Sequence, residues 1–157
     1  APSLIVFSLF KEMDYSGAME SLAGVFPYLA FLLSVFSALR LAKFNNDTRQ
    51  TSSFVGLPVP ANALFWASLV TGAHDWLVSS NFHPVYLLLL VCLFSWLLVS
   101  EIPMFSLKFK NLSWKDNKTS FIFLLVCIPF LIFLGICSFA AIIVWYILLS
   151  LITRKSK

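Results

Sequence analysis

Thr119 to Thr153 is a run of 35 residues without a charged side chain. As one straight helix it would be about 52 Å long, against a hydrocarbon core of about 30 Å. Such a run must bend, and Pro129 and Gly135 are the breakers it contains. Splitting it near Gly135 gives two short spans, 120–134 and 136–153, and leaves Arg154, Lys155 and Lys157 as a basic tail. The rest of the chain has the same character. Hydrophobic residues make up 60% of it and charged residues 11%, with a mean hydropathy of +0.91. No single core of 157 residues can hide that much apolar surface, so the sequence reads as an all-α, polytopic transmembrane helix bundle.

The remaining segments follow from length and punctuation. Residues 1–10 form half a span, too short to cross, and the short charged loop 11–20 follows. Residues 25–44 are the first full span; 60–78 form a weaker one, interrupted by Asn62, and 84–100 a strong one that exits at Glu101-Ile102-Pro103. Segment 104–118 is amphipathic and basic and is expected along the membrane interface, with Phe105, Phe109, Leu112 and Trp114 toward the acyl boundary. The connections alternate in charge. Lys11, Glu12, Asp14 and Glu20 sum to −2, whereas Arg40, Lys43, Asp47 and Arg49 sum to +2. Asp75 contributes −1, segment 101–118 +2, the Gly135 break 0 and the tail +3. Every second connection is positive, which places the 40–53 loop and the carboxy terminus in the cytoplasm. The expected organisation is therefore a half-span and about five spans in a membrane.

The net charge of +4 lies at helix ends, a placement suited to anionic headgroups rather than nucleic acid. Cys92, Cys127 and Cys137 sit in apolar runs without CxxC spacing or neighbouring His and read as packing residues. His74, Asp75 and His83 read as interface residues, because no Ser or Cys is paired with them. No P-loop, HExxH or paired carboxylate is present, so neither a catalytic residue nor a metal ligand is assigned within the chain.

Chemistry converges on Ser37 to Pro60. Arg40 and Lys43 lie three apart on a helix and share a face. Basic residues at such helix ends ordinarily snorkel to headgroups, but Arg40 stands four residues inside the helix end, about 6 Å deep, where an ionised side chain faces a cavity and marks a substrate path. Asn45, Thr51 and Ser52 belong to the polar loop that follows. Gly56, ahead of Leu57-Pro58, permits a close backbone approach to a ligand or to a neighbouring helix.

The segments Arg40-Leu41-Ala42-Lys43-Phe44-Asn45 and Phe54-Val55-Gly56-Leu57-Pro58-Val59-Pro60-Ala61 resemble those of the bacterial phosphatidylserine synthases, within the CDP-alcohol phosphatidyltransferase family. Ser100-Glu101-Ile102-Pro103-Met104-Phe105-Ser106-Leu107-Lys108-Phe109-Lys110 is similar to their Bacteroidetes-type members, and the likeness runs nearly the whole length. The resemblance implies transfer of a phosphatidyl group from CDP-diacylglycerol to L-serine, with membrane lipids around the protein and a homodimer as the assembly. It implies a divalent metal site, Mg or Mn, on aspartates of a motif that none of these residues matches. The chain is accordingly expected to begin just after that motif and to supply substrate positioning through Arg40, Lys43, Asn45, Thr51, Ser52, Gly56 and Pro58. The alternatives are a sibling transferase of the same resemblance using glycerol phosphate or inositol, and a non-enzymatic transporter or assembly protein.

Overall fold

In a computed structural model the described residues are 1–46, 48, 54–105 and 112–155. They form seven helices: α1 (Pro2–Glu12), α2 (Phe26–Leu29), α3 (Leu32–Asn46), α4 (Val59–Val78), α5 (Pro84–Val99), α6 (Lys118–Leu134) and α7 (Ser138–Lys155). Two-residue strands β1 (Phe54–Val55) and β2 (Pro103–Met104) pair antiparallel, with Phe54 opposite Met104 and Val55 opposite Pro103. The all-α class holds; this ladder is a clip between helices rather than a layer.

Helix starts follow the prolines. Pro2, Pro27, Pro60 and Pro84 all stand in first turns, where the missing N–H has no intrahelical partner to lose. The expected 25–44 span is divided: α2 ends at Leu29, a turn occupies Ala30 and Phe31, and α3 begins at Leu32. The opening helix also runs beyond residue 10, to Glu12, and buries Val6, Leu9 and Phe10.

Pro129 does not end α6, which continues through it to Leu134. The chain turns at Gly135, whose φ of +54° is strained for a residue with a Cβ. The Phe123 and Tyr146 rings lie 5.9 Å apart, whereas one straight helix would separate them by about 34 Å. Helices α6 and α7 are thus an antiparallel hairpin of 17 and 18 residues, each close to the thickness of a thin hydrocarbon core.

Helix α4 runs through the middle of the packing, with α1 on one side and α7 on another, while α3 packs on α5. Gly72 makes the closest helix approach possible: a Cβ there would overlap Cys137 Sγ and stand 3.0 Å from the Cys137 amide nitrogen. The next residue, Ala73, leaves helical geometry (φ −128°, ψ 21°) and kinks α4 over that contact.

Among the described residues two stretches are long and apolar enough to cross a membrane, Phe26–Asn46 and Lys118–Arg154; Pro84–Val99 is apolar but shorter. The most apolar window of Lys118–Arg154 is only 17% buried. Ile128, Ile132 and Phe133 face outward on α6, so the helix is not a core helix of a soluble domain. Of the basic segment 104–118, residues 106–111 lie outside the described ones. Phe105 corrects the expectation for that segment. It turns inward onto Phe123 and Tyr146, with ring centroids 5.6 and 4.8 Å away, because Tyr146 Oη donates to its carbonyl at 2.9 Å. Leu112 is exposed and Trp114 stacks on Phe121.

Candidate functional site

Helix α3 buries two residues, Leu33 and Arg40, seven apart and therefore on one face. That face lies on α5. A leucine there is ordinary. The guanidinium, 7% exposed, has to be answered by polar partners, since an unanswered buried charge is costly.

The partners are backbone carbonyls. Arg40 Nη1 donates to Val55 O at 2.8 Å and to Leu98 O at 3.1 Å, which uses both hydrogens of that nitrogen. Lys43, one turn later, donates to Val99 O at 3.4 Å and to Glu101 Oε1 at 3.0 Å. The turn contributes as well: Leu57 N donates to Leu97 O at 3.0 Å and Gly56 N to Ile102 O at 2.8 Å.

Together these contacts account for the end of α5. A helix leaves its last four carbonyls without intrahelical partners. The last intrahelical bond runs from Ser100 N to Trp96 O; beyond it Leu97 O accepts from Leu57 N and Ser100 Oγ, Leu98 O from Arg40 and Val99 O from Lys43. Two of these three carbonyls are capped by cations, placed at the negative end of the helix dipole. Sequence separations of 56 and 58 residues are closed by this node.

Gly56 is the residue the node does not allow to change. Its φ is +74°, and a Cβ would stand 2.7 Å from Ser100 O, 2.9 Å from Arg40 Nη1 and 3.0 Å from Leu98 O. Pro58, extended at φ −61° and ψ 139°, is the amino-terminal cap residue of α4, so the node passes directly into that helix. Behind Pro58 lies an apolar pocket of about 390 Å³ between α4, α6 and α7.

The structure therefore brings Arg40, Lys43, Gly56 and Pro58 together. Asn45 lies near the end of α3 with its side chain exposed. Thr51 and Ser52 fall outside the described residues. Ser37 is turned back on its own helix, donating to Leu33 O at 2.6 Å. Glu101, a solvated exit residue by its sequence context, is the partner that sequence reasoning misses; a carboxylate just past a helix end is its only signal. His74 also gains an unforeseen partner, Glu12 Oε2 at 2.8 Å, which ties the far end of α4 to α1. His83 caps α5, its Nδ1 accepting from Val85 N at 3.3 Å.

Among the described residues no group of three or more His, Cys, Asp or Glu side chains is arranged to hold a metal ion. Carbonyls already bonded to cations, with a single carboxylate beside them, do not make a donor set for a divalent cation.

No protein-family model matches the chain. Over 100 residues it is 30% identical to the CDP-diacylglycerol--serine O-phosphatidyltransferase of Bacillus subtilis (strain 168). It is similar to a phosphatidyltransferase. The matched stretch is 63% of this chain, which spans about half (51%) of the relative's length.

Proposed function

We propose that this chain belongs to a CDP-alcohol phosphatidyltransferase of phospholipid synthesis, and that it transfers a phosphatidyl group from CDP-diacylglycerol to L-serine. The similarity over 100 residues supports the transferase reading. The observation that carries it to a site is the cationic node, where Arg40 and Lys43 meet a glycine turn at the end of an apolar helix.

In this reading the serine hydroxyl oxygen attacks the lipid-linked phosphorus of CDP-diacylglycerol. A P–O bond forms to serine, the P–O bond to CMP breaks, CMP leaves with the electron pair, and the hydroxyl proton passes to a base. A divalent cation, Mg or Mn, would neutralise the diphosphate and would be held by residues outside the node. The node's part is positioning. Lys43 is half exposed and paired at the surface, so it can exchange Glu101 for a phosphate or the serine carboxylate. Arg40 offers an anion its charge rather than its Nη1 hydrogens, which the carbonyls hold. Asn45, with Thr51 and Ser52 of the loop, would line the cytoplasmic mouth, while Gly56 and Pro58 shape the turn beside it.

The protein would be a multi-pass, homodimeric bacterial inner-membrane protein with residues 40–53 and the carboxy terminus cytoplasmic. The test is a reconstitution of the whole protein with CDP-diacylglycerol, Mg²⁺ or Mn²⁺, and labelled L-serine, glycerol 3-phosphate or inositol in parallel. Phosphatidylserine and CMP in equal amounts are expected from serine. Label in the product of another alcohol refutes the acceptor, and CMP release from none of them refutes the transferase.

A further inference from the structure

Glu101 stands apart from the rest of the node. Arg40 is buried and gives both Nη1 hydrogens to the carbonyls of Val55 and Leu98. Gly56 N and Leu57 N are likewise spent on the carbonyls of Ile102 and Leu97. The Lys43 ammonium and the Glu101 carboxylate are different. They stand 3.0 Å apart, with side chains 38% and 65% exposed, and among the described residues they are the node's ion pair. Capping Val99 O takes the Lys43 ammonium and not the carboxylate beside it. An exposed pair of this kind adds little to stability, so the cap leaves the second charge unexplained.

Two opposite charges held this close, within reach of water, are the complement of a zwitterion. In an α-amino acid the ammonium nitrogen and the carboxyl carbon are two bonds apart, about 2.5 Å by standard bond lengths. Such a molecule can lie antiparallel to the pair. Its carboxylate takes the place of Glu101 at Lys43, and its ammonium goes to the displaced Glu101 carboxylate. Each charge then exchanges one charged partner for another, and none is stripped of water without compensation. An acceptor with negative charge alone gains Lys43 but meets Glu101 as a like charge, and a neutral polyol gains neither ion pair.

We infer that Glu101 is a specificity-determining residue, the receptor for the α-ammonium of the acceptor, and that with Lys43 it forms a zwitterion subsite selecting an amino acid over phosphorylated or neutral alcohols. The inference rests on the proposed use of serine. The serine hydroxyl, carried on the β-carbon, belongs to neither ion pair and is left for the attack.

The experiment uses the whole protein in vesicles containing CDP-diacylglycerol, with EDTA present so that occupancy is read without turnover. Labelled L-serine, 3-hydroxypropanoate (serine without its ammonium) and ethanolamine (serine without its carboxylate) are each titrated by equilibrium dialysis. The unaltered protein should bind serine most tightly of the three. Glu101→Gln is expected to weaken serine and ethanolamine at least tenfold and to tighten 3-hydroxypropanoate two- to threefold, as a like charge is removed. Glu101→Asp should keep the order of the three ligands. A carboxylate that only braces the helix end would move all three in one direction. Should Glu101→Gln fail to fold, Lys43→Gln carries the test with the signs exchanged: serine and 3-hydroxypropanoate weaken and ethanolamine tightens. A common shift of all three ligands, or serine binding that neither variant weakens, would overturn the inference. The transfer assay with Mg²⁺ or Mn²⁺ separates the two readings. Transfer to serine together with an unchanged preference in Glu101→Gln removes the subsite and leaves the transferase. The opposed binding shifts without CMP release from any alcohol remove the transferase and leave an amino-acid subsite.

Discussion

Helix α4 has a polar fastening near each end, and the two are built oppositely. At its amino end, Arg40, Lys43 and the Gly56 turn grip the last carbonyls of α5. Toward its carboxyl end, His74 meets Glu12 across exposed side chains, about 22 Å along the helix from Val59. The first fastening uses backbone acceptors with nowhere to go and a cation that is buried. The second uses two flexible side chains that water can replace. Burial and backbone partnership, not charge count, decide which of them the fold depends on.

Substitutions at four sites and one titration would break or sharpen that contrast. Gly56→Ala is expected to be the most damaging, above about 3 kcal/mol. It adds the strain of a positive φ to a clash with carbonyl oxygens that are themselves anchored. Thermal unfolding in detergent measures it, and a loss under about 1 kcal/mol would mean the turn can relax. Arg40→Ala should follow at about 3 kcal/mol, because Leu98 O and Val55 O lose their charged donor. Arg40→Lys should recover only part, since an ammonium does not reproduce the guanidinium's fork.

Lys43→Ala separates stability from function. Its pair with Glu101 is exposed, so unfolding should shift by less than about 1 kcal/mol. The proposed role in positioning predicts a KM for CDP-diacylglycerol or serine raised at least tenfold. An unchanged KM would reduce Lys43 to a helix cap. At the other fastening, Glu12→Gln should cost no more than about 0.5 kcal/mol. A larger loss would contradict the ranking of the two ends.

The remaining effect, a dependence on pH, lies beside that second fastening. Tyr15 Oη donates to Phe10 O at 2.8 Å, and burial pushes its pKa up to about 12 from 10.0. The folded state therefore favours the neutral phenol. Its contribution is complete below pH 10 and is lost as the pH rises from there toward 12. Tyr15→Phe should flatten that alkaline limb of the stability profile, and an unchanged slope would remove Tyr15 from the account.

Much of this is legible in residue order, for reasons that also mark where reading stops. Pro60 and Pro84 announce helix starts because their chemistry is local. The depth of Arg40 follows from counting residues to the polar loop, and the side chain is buried. Its partners cannot be read that way. No local pattern says that the end of α5, 58 residues on, lies opposite. Gly56 signals a close approach to something, and that something is neighbouring backbone. An amphipathic pattern points Phe105 outward, but its carbonyl's bond to Tyr146, 41 residues away, holds it inward. His74 looks isolated in the sequence because Glu12 is 62 residues earlier. The 3.6 period tells which residues share a face and is silent on which face of another helix receives them.

The capping of Leu97 O, Leu98 O and Val99 O changes where α5 can stop. A helix end normally has to reach water, since lipid offers its carbonyls no donors. Here residues from two other segments and the adjoining Ser100 supply those donors. The terminus can therefore lie beneath the aqueous boundary, among glycerol backbones rather than above them. In the proposed transfer, an aqueous reactant would then have to come down to this depth to meet a lipid phosphate, instead of the lipid being lifted out to meet it.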